Sequence, residues 1–226
     1  MNVLTSSINF RKLWGAGLAL ALCFQASISH AVPLAPGGVI FPAPAEPDPV
    51  GATLLDQINA PFSSLSFSGN LISSVYNGDV TNPFGLGALT YTYEVILNAV
   101  GPDSMTGITV GPFAGFQTDV SYQVPPSGVA PFIVSRGLAG SQAVNFGFPG
   151  NNVPSPGNSA LLVVQTDEMV PVFGVGSSTI TDDVGTIVPA LAPVPEPTTV
   201  SCFLLGLGAL VFRRRFQAKD KSDSAI

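Results

Sequence analysis

Four carboxylates, Glu94, Asp119, Asp167 and Glu168, are the side chains of the central region best suited to chemistry. Two carboxyl groups flanking a glycosidic bond can hydrolyse it, one as acid and the other as base or nucleophile. No spacing selects a pair among these four, and solvated acids at strand ends and in loops are the simpler account. Calcium is the second chemistry open to acids, since it takes hard oxygen ligands from loops. Asp182-Asp183 or Asp167-Glu168 could each supply two carboxylates, but no EF-hand spacing is present, so no metal site is assigned. A sugar-binding face would rest on Tyr76, Tyr91, Tyr93 and Tyr122 beside the phenylalanines.

What is missing narrows the field further. Between residues 32 and 193 the chain has no His, Cys, Lys or Trp. A serine or cysteine nucleophile needs an imidazole to take its proton. Zinc and most transition metals need His or Cys ligands. Schiff-base catalysis needs Lys. These losses point to a protein that is not an enzyme and carries no cofactor. Charge excludes another class. Twelve acids lie between residues 32 and 197 against one base, Arg136, a net of −11 where the whole chain has −6. Nucleic acid demands a basic footprint, so it is not a partner.

The elements that must hold these residues read as short strands. Leu89, Tyr91, Tyr93, Val95 and Leu97 alternate with Thr90, Thr92, Glu94 and Ile96, a period of two that turns the first set to a core and Glu94 to a wet face. Further strands are expected at 64–68, 70–76, 106–110, 118–124, 131–135, 143–148, 160–166, 170–174, 178–181 and 185–189. Asn77-Gly78-Asp79 reads as a tight turn between two of them. Residues 52–60 fit a short helix or a strand. Residues 33–50 carry six prolines and read as an extended, semi-rigid segment. Many short strands broken by Gly and Pro predict an all-β fold, a single antiparallel β-sandwich of the jelly-roll or Ig-like kind. Cys23 and Cys202 lie outside this region, so it has no disulfide.

Both ends carry addresses. Arg11 and Lys12 precede an apolar run, Leu13 to Phe24, and Ser29-His30-Ala31 forms a small-x-small site. That is a signal peptide, a helix cut after Ala31 by signal peptidase. At the other end Val194-Pro195-Glu196-Pro197 is followed by Thr198 to Phe212, almost wholly apolar, and then by Arg213, Arg214 and Arg215. The prolines keep the backbone around Glu196 extended. The fifteen apolar residues make a helix of about 22 Å against a hydrocarbon core of ~30 Å, a short transmembrane span. The arginine cluster is a stop-transfer signal held in the cytoplasm.

This tail resembles the PEP-CTERM sorting signal, handled by exosortases in Gram-negative bacteria that make exopolysaccharide. The resemblance covers about 194 to 215. Residues 114–120 and 159–166 are also similar, far less specifically, to stretches of such proteins' ectodomains. It implies that Pro195, Glu196 and Pro197 form the recognition motif, cut near by a membrane-embedded cysteine peptidase or transpeptidase. The expected organisation is a signal peptide (1–31), a proline-rich segment (32–60), a β-sandwich ectodomain (61–193), the sorting signal (194–215) and a cytoplasmic tail (216–226). The expected protein is a non-enzymatic component of the exopolysaccharide or biofilm envelope, anchored briefly in the inner membrane and then found at the surface or outside the cell. Its competitors are a carbohydrate- or calcium-dependent adhesion module and, more remotely, a carboxylate-pair glycosidase.

Overall fold

The computed structural model describes residues 32–98, 104–138, 142–150, 152–182 and 184–194. The signal and tail helices expected from the sequence, with Ser29, Ala31, Pro195, Glu196, Pro197 and the arginine cluster, lie outside the described residues. Among the described residues every regular element is a strand. In chain order these are β1 (Val32–Pro33), β2 (Val39–Ile40), β3 (Ala45–Glu46), β4 (Thr53–Ser63), β5 (Ser68–Asn77), β6 (Thr90–Leu97) and β7 (Gly107–Val110). They continue as β8 (Thr118–Gln123), β9 (Ile133–Arg136), β10 (Val144–Gly147), β11 (Gly157–Asn158), β12 (Leu162–Thr166), β13 (Phe173–Thr181) and β14 (Gly185–Pro193).

Two sheets result. The first runs β1-β8-β12-β6-β5-β4, with β11 beside β6 and β3 beside β8; the second runs β14-β13-β7-β10-β9-β2. Pairing is antiparallel except for β3 on β8. From β6 onward the chain passes back and forth between the sheets, so that apart from the hairpins β9-β10 and β13-β14 most neighbours are distant in sequence. The two sheets share one apolar core. Leu71, Tyr91, Tyr93 and Val164 enter it from the first sheet, and Ile108, Phe146, Ile180 and Val188 from the second. Burying each large apolar side chain contributes about 1.5–3 kcal/mol, which makes this alternation the main source of stability.

Alternation alone does not close the layers. Tyr93 on β6 donates its hydroxyl to the Leu191 carbonyl at 2.7 Å, and the Leu191 amide donates to Ser73 Oγ on β5 at 3.0 Å. Leu191 sits on β14, an edge strand of the second sheet. Side chains of the opposite sheet thus satisfy the backbone groups that β14 would otherwise leave bare, and an edge is protected.

Several expectations need correcting. Of the two readings of residues 52–60 the strand holds, and because β4 continues to Ser63 a boundary after residue 60 falls inside it. Residues 64–67 form a turn, because Ser64 Oγ accepts the amides of Ser66 and Phe67 at 3.2 and 3.1 Å. The run at 178–181 and the last two residues of the run at 170–174 are one strand, β13, paired residue for residue with β14. Asn77-Gly78-Asp79 does begin a turn, with Gly78 at a φ of +77, where glycine carries no Cβ penalty. The returning strand starts only at Thr90, however, and Asn82 closes the longer loop by donating to the Leu89 carbonyl and to Thr90 Oγ1.

Candidate functional site

The proline-rich segment is not a free spacer; it is a strap that pairs with the second sheet through β2 on β9 and otherwise lies against the first. Its extended backbone supplies β1 and β3, both laid against β8. Tyr122 donates its amide to the Pro44 carbonyl (3.0 Å), and Val124 does the same to Glu46 (2.9 Å). Farther along, the Val50 amide donates to Asp79 Oδ1 at 3.0 Å. Asp48, between those anchors, accepts the Ser121 hydroxyl at 3.0 Å. The strap therefore passes over the sheet's outer face, and the threonine face of β6 is dry where it was expected wet: Thr90 and Thr92 are buried.

Four acids are enclosed there: Glu46, Asp48, Asp79 and Asp119. Asp79 is fully satisfied. Its Oδ1 accepts the amides of Val50 and Thr81, and its Oδ2 accepts Thr90 Oγ1 (2.8 Å) and Gln165 Nε2 (3.0 Å). Burial opposes its ionisation, but these donors outweigh it and hold its pKa below the ordinary carboxylate value. Asp119 is the opposite case. It is 1% exposed, and neither oxygen has a hydrogen-bond partner. Burial, reinforced by the charges of Asp48 and Glu46 and opposed only in part by the nearby Val120 amide, pushes its pKa up to about 7. Burial likewise raises Asp48, against the hydroxyls of Thr81 and Ser121. Glu46 Oε1 and Gln165 Oε1 also lack partners.

A second acid pair borders a cavity of about 240 Å³ beside Val194, where the described chain ends. Asp167 Oδ1 accepts the Gln117 amide at 2.8 Å. Glu168 sends its carboxyl inward to the Tyr91 hydroxyl, which donates to Oε2 at 2.6 Å. Burial and the Asp167 charge push Glu168 up to about 7, with the Tyr91 hydroxyl working the other way. One carboxyl here is poised to hold a proton near neutrality, which is what a general acid needs. The cavity falls short of the ~300–1,000 Å³ usual for ligand pockets.

Arg136 hydrogen-bonds to none of these acids. Its Nη1 donates to the Leu34 carbonyl and Thr118 Oγ1, and its Nη2 to the carbonyls of Phe113 and Phe116 and to Gln142 Oε1, at 2.8–3.0 Å. Every acceptor is neutral. The guanidinium fork pins β1, β8 and the 113–117 loop together, a use that needs its planar array of donors. Burial lowers its pKa, and the Asp167 charge resists that shift.

The carboxylates singled out in the sequence thus fall at separate places. Glu94 is half-buried and accepts Asn158 Nδ2 at 3.0 Å; Asp119 lies under the strap; only Asp167 and Glu168 share a cavity. Asp119 and Glu168 are not the solvated acids expected, because the strap and the core of the first sheet cover them. Asp182 caps the turn between β13 and β14, accepting the Val184 amide and the Ser66 hydroxyl, while Asp183 lies outside the described residues. Tyr91 and Tyr93 pack in the core, as their parity predicts, which withdraws them from any sugar-binding face. Glu46, Asp48 and Asp79 were not singled out at all. The one signal that could have found them is the absence of any base nearby in sequence. Comparison with protein-family models, curated proteins and solved structures returned no match.

Proposed function

We propose that this chain is an exported, non-enzymatic surface or extracellular-matrix protein, cut by signal peptidase after Ala31 and then sorted by an exosortase through Pro195-Glu196-Pro197. The observation that carries this reading is the order of the tail: an extended proline-flanked glutamate, fifteen apolar residues, three arginines. An apolar span with a basic stop holds the motif at the outer rim of a membrane. There it lies within reach of a membrane-embedded peptidase.

The folded part is compatible with that task. We read its two sheets as a β-sandwich, jelly-roll or Ig-like in the way the chain alternates between layers. β14 ends at Pro193, and the Val194 amide still donates to the Val172 carbonyl. The pairing of β14 therefore continues to Val194, next in sequence to Pro195. Exopolysaccharide is the environment such a protein would enter, the inner membrane its temporary anchor.

Mass spectrometry of the protein recovered from its native host tests the reading. The expected termini are Val32 and a residue near Pro195–Pro197. Intact chains running from Met1 to Ile226 would end it. Replacing Pro195, Glu196 and Pro197 together by alanine should leave the uncut protein in the membrane fraction; unchanged trimming would sink the role given to the motif.

A further inference from the structure

Scattered apolar side chains on a surface need no explanation, but a contiguous run of them does. Met169, Val170, Pro171 and Val172 follow one another between β12 and β13 without a polar residue, and all four are exposed. Met169, Val170 and Val172 keep 55%, 57% and 44% of their surface in water. Val194 beside them is 39% exposed, and its amide donates to the Val172 carbonyl at 3.1 Å. Met169 also lies over the loop before β6. Its Sδ stands 3.5 Å from the place a Cβ on Gly87 would take, and the neighbouring Leu86 is 62% exposed. The position of this patch decides what covers it. β14 begins at Gly185, by the turn where Asp182 accepts the Ser66 hydroxyl, and its nine residues carry it about 26 Å to Pro193. The patch is at the Pro193 end, where the described chain stops.

Only Pro195, Glu196 and Pro197 separate Val194 from the apolar residues that begin at Thr198. Four residue steps span at most about 14 Å. With residues 198–212 in a bilayer, the Val194 end of the domain is held against the headgroups. A tether this short gives even a weak contact a high effective concentration. We propose that Leu86, Met169, Val170, Pro171, Val172 and Val194 form the face on which the domain rests against a zwitterionic lipid surface. The run carries no cation to recruit anionic headgroups, and Asp167, which borders the same cavity as Met169, would be repelled by them. Seated this way, the domain sets Pro195-Glu196-Pro197 in the narrow gap between fold and lipid and fixes the orientation in which a membrane peptidase meets them. The inference rests on the membrane anchor of the proposed function.

Its test is fluorescence quenching on the full-length chain in phosphatidylcholine vesicles, some of whose lipid carries a nitroxide high on the acyl chain. Cys23→Ser leaves Cys202, inside the apolar span, as the first labelling site. Adding Cys202→Ser with Val170→Cys or with Leu65→Cys moves the fluorophore to the patch or to the far end of the domain. Leu65 is 100% exposed and sits in the turn joined to Asp182, so it is the distant control. The label at 202 should be quenched strongly, and the label at 170 about threefold or more beyond the label at 65, as for a segment buried ~5–10 Å into the headgroup boundary. Val172→Asp should cut the quenching at 170 by about half or more. An unquenched label at 202 ends the anchor reading and this inference with it. Quenching at 202 with equal values at 170 and 65 leaves the anchor standing and overturns the seated face. A label at 170 shielded from aqueous iodide but untouched by the lipid nitroxide also overturns it, and assigns the patch to a second copy of the chain or to the tail itself.

Discussion

Asp119 and Glu168 give this protein an unusual dependence on pH. Each has a folded pKa raised to about 7, from 3.8 and 4.5 respectively, because burial disfavours the charged form. A carboxyl that holds its proton more tightly when folded stabilises the fold below its unfolded pKa. That contribution is lost as pH rises through the folded value. Asp79 works in the opposite sense. Its lowered pKa stabilises above the unfolded value and is lost in acid, but it is one group against three, since burial raises Asp48 as well. The thermal stability should therefore peak in the mildly acid range and fall as pH rises from about 4.5 toward 7. Asp119→Asn should flatten the upper part of that decline. A profile rising steadily toward pH 7 would show that these carboxyls are not buried as described.

At the scale of elements the strap is the decisive piece, and Asp79 is its fastening. It is the acceptor for Val50 in the strap, Thr81 in the loop, Thr90 on β6 and Gln165 on β12. Asp79→Ala leaves several buried donors unpaired, at about 1–3 kcal/mol apiece, and should destabilise the protein by about 3 kcal/mol or more. Hydrogen exchange at Val50 should accelerate well ahead of exchange in β6; equal acceleration in both would mean that strap and sheet open as one unit. Little of this was legible in the sequence. The alternation of Leu89 to Leu97 announced β6 and its core face correctly, since apolar and polar residues alternate along it although its threonine face is covered as well. β4 did not announce itself, because its first five residues are exposed on both faces as an edge strand and so show no alternation. The strap's coverage was invisible for a different reason. It depends on a parallel pairing between Glu46 and Gln123, a contact too distant in sequence for composition or periodicity to record.

For the molecule as a whole, charge sets the remaining expectation. Twelve acids against one arginine between residues 32 and 197 produce self-repulsion that disfavours the compact state. The half-exposed or exposed acids, Asp56, Glu94, Asp167 and Asp182, are spread over both sheets, so their repulsion acts through solvent and is open to screening. The Debye length falls to about 10 Å in 0.1 M salt and about 3 Å in 1 M. Sodium chloride should therefore raise the Tm at neutral pH by about 2–4 °C over that range, measured by circular dichroism. The carboxylates under the strap are enclosed, and salt screens enclosed charges much less. The sodium increment should consequently be the same in the unaltered protein and in Asp119→Asn. A sodium increment that differs sharply between the two would mean that Asp119 is open to solvent and not enclosed.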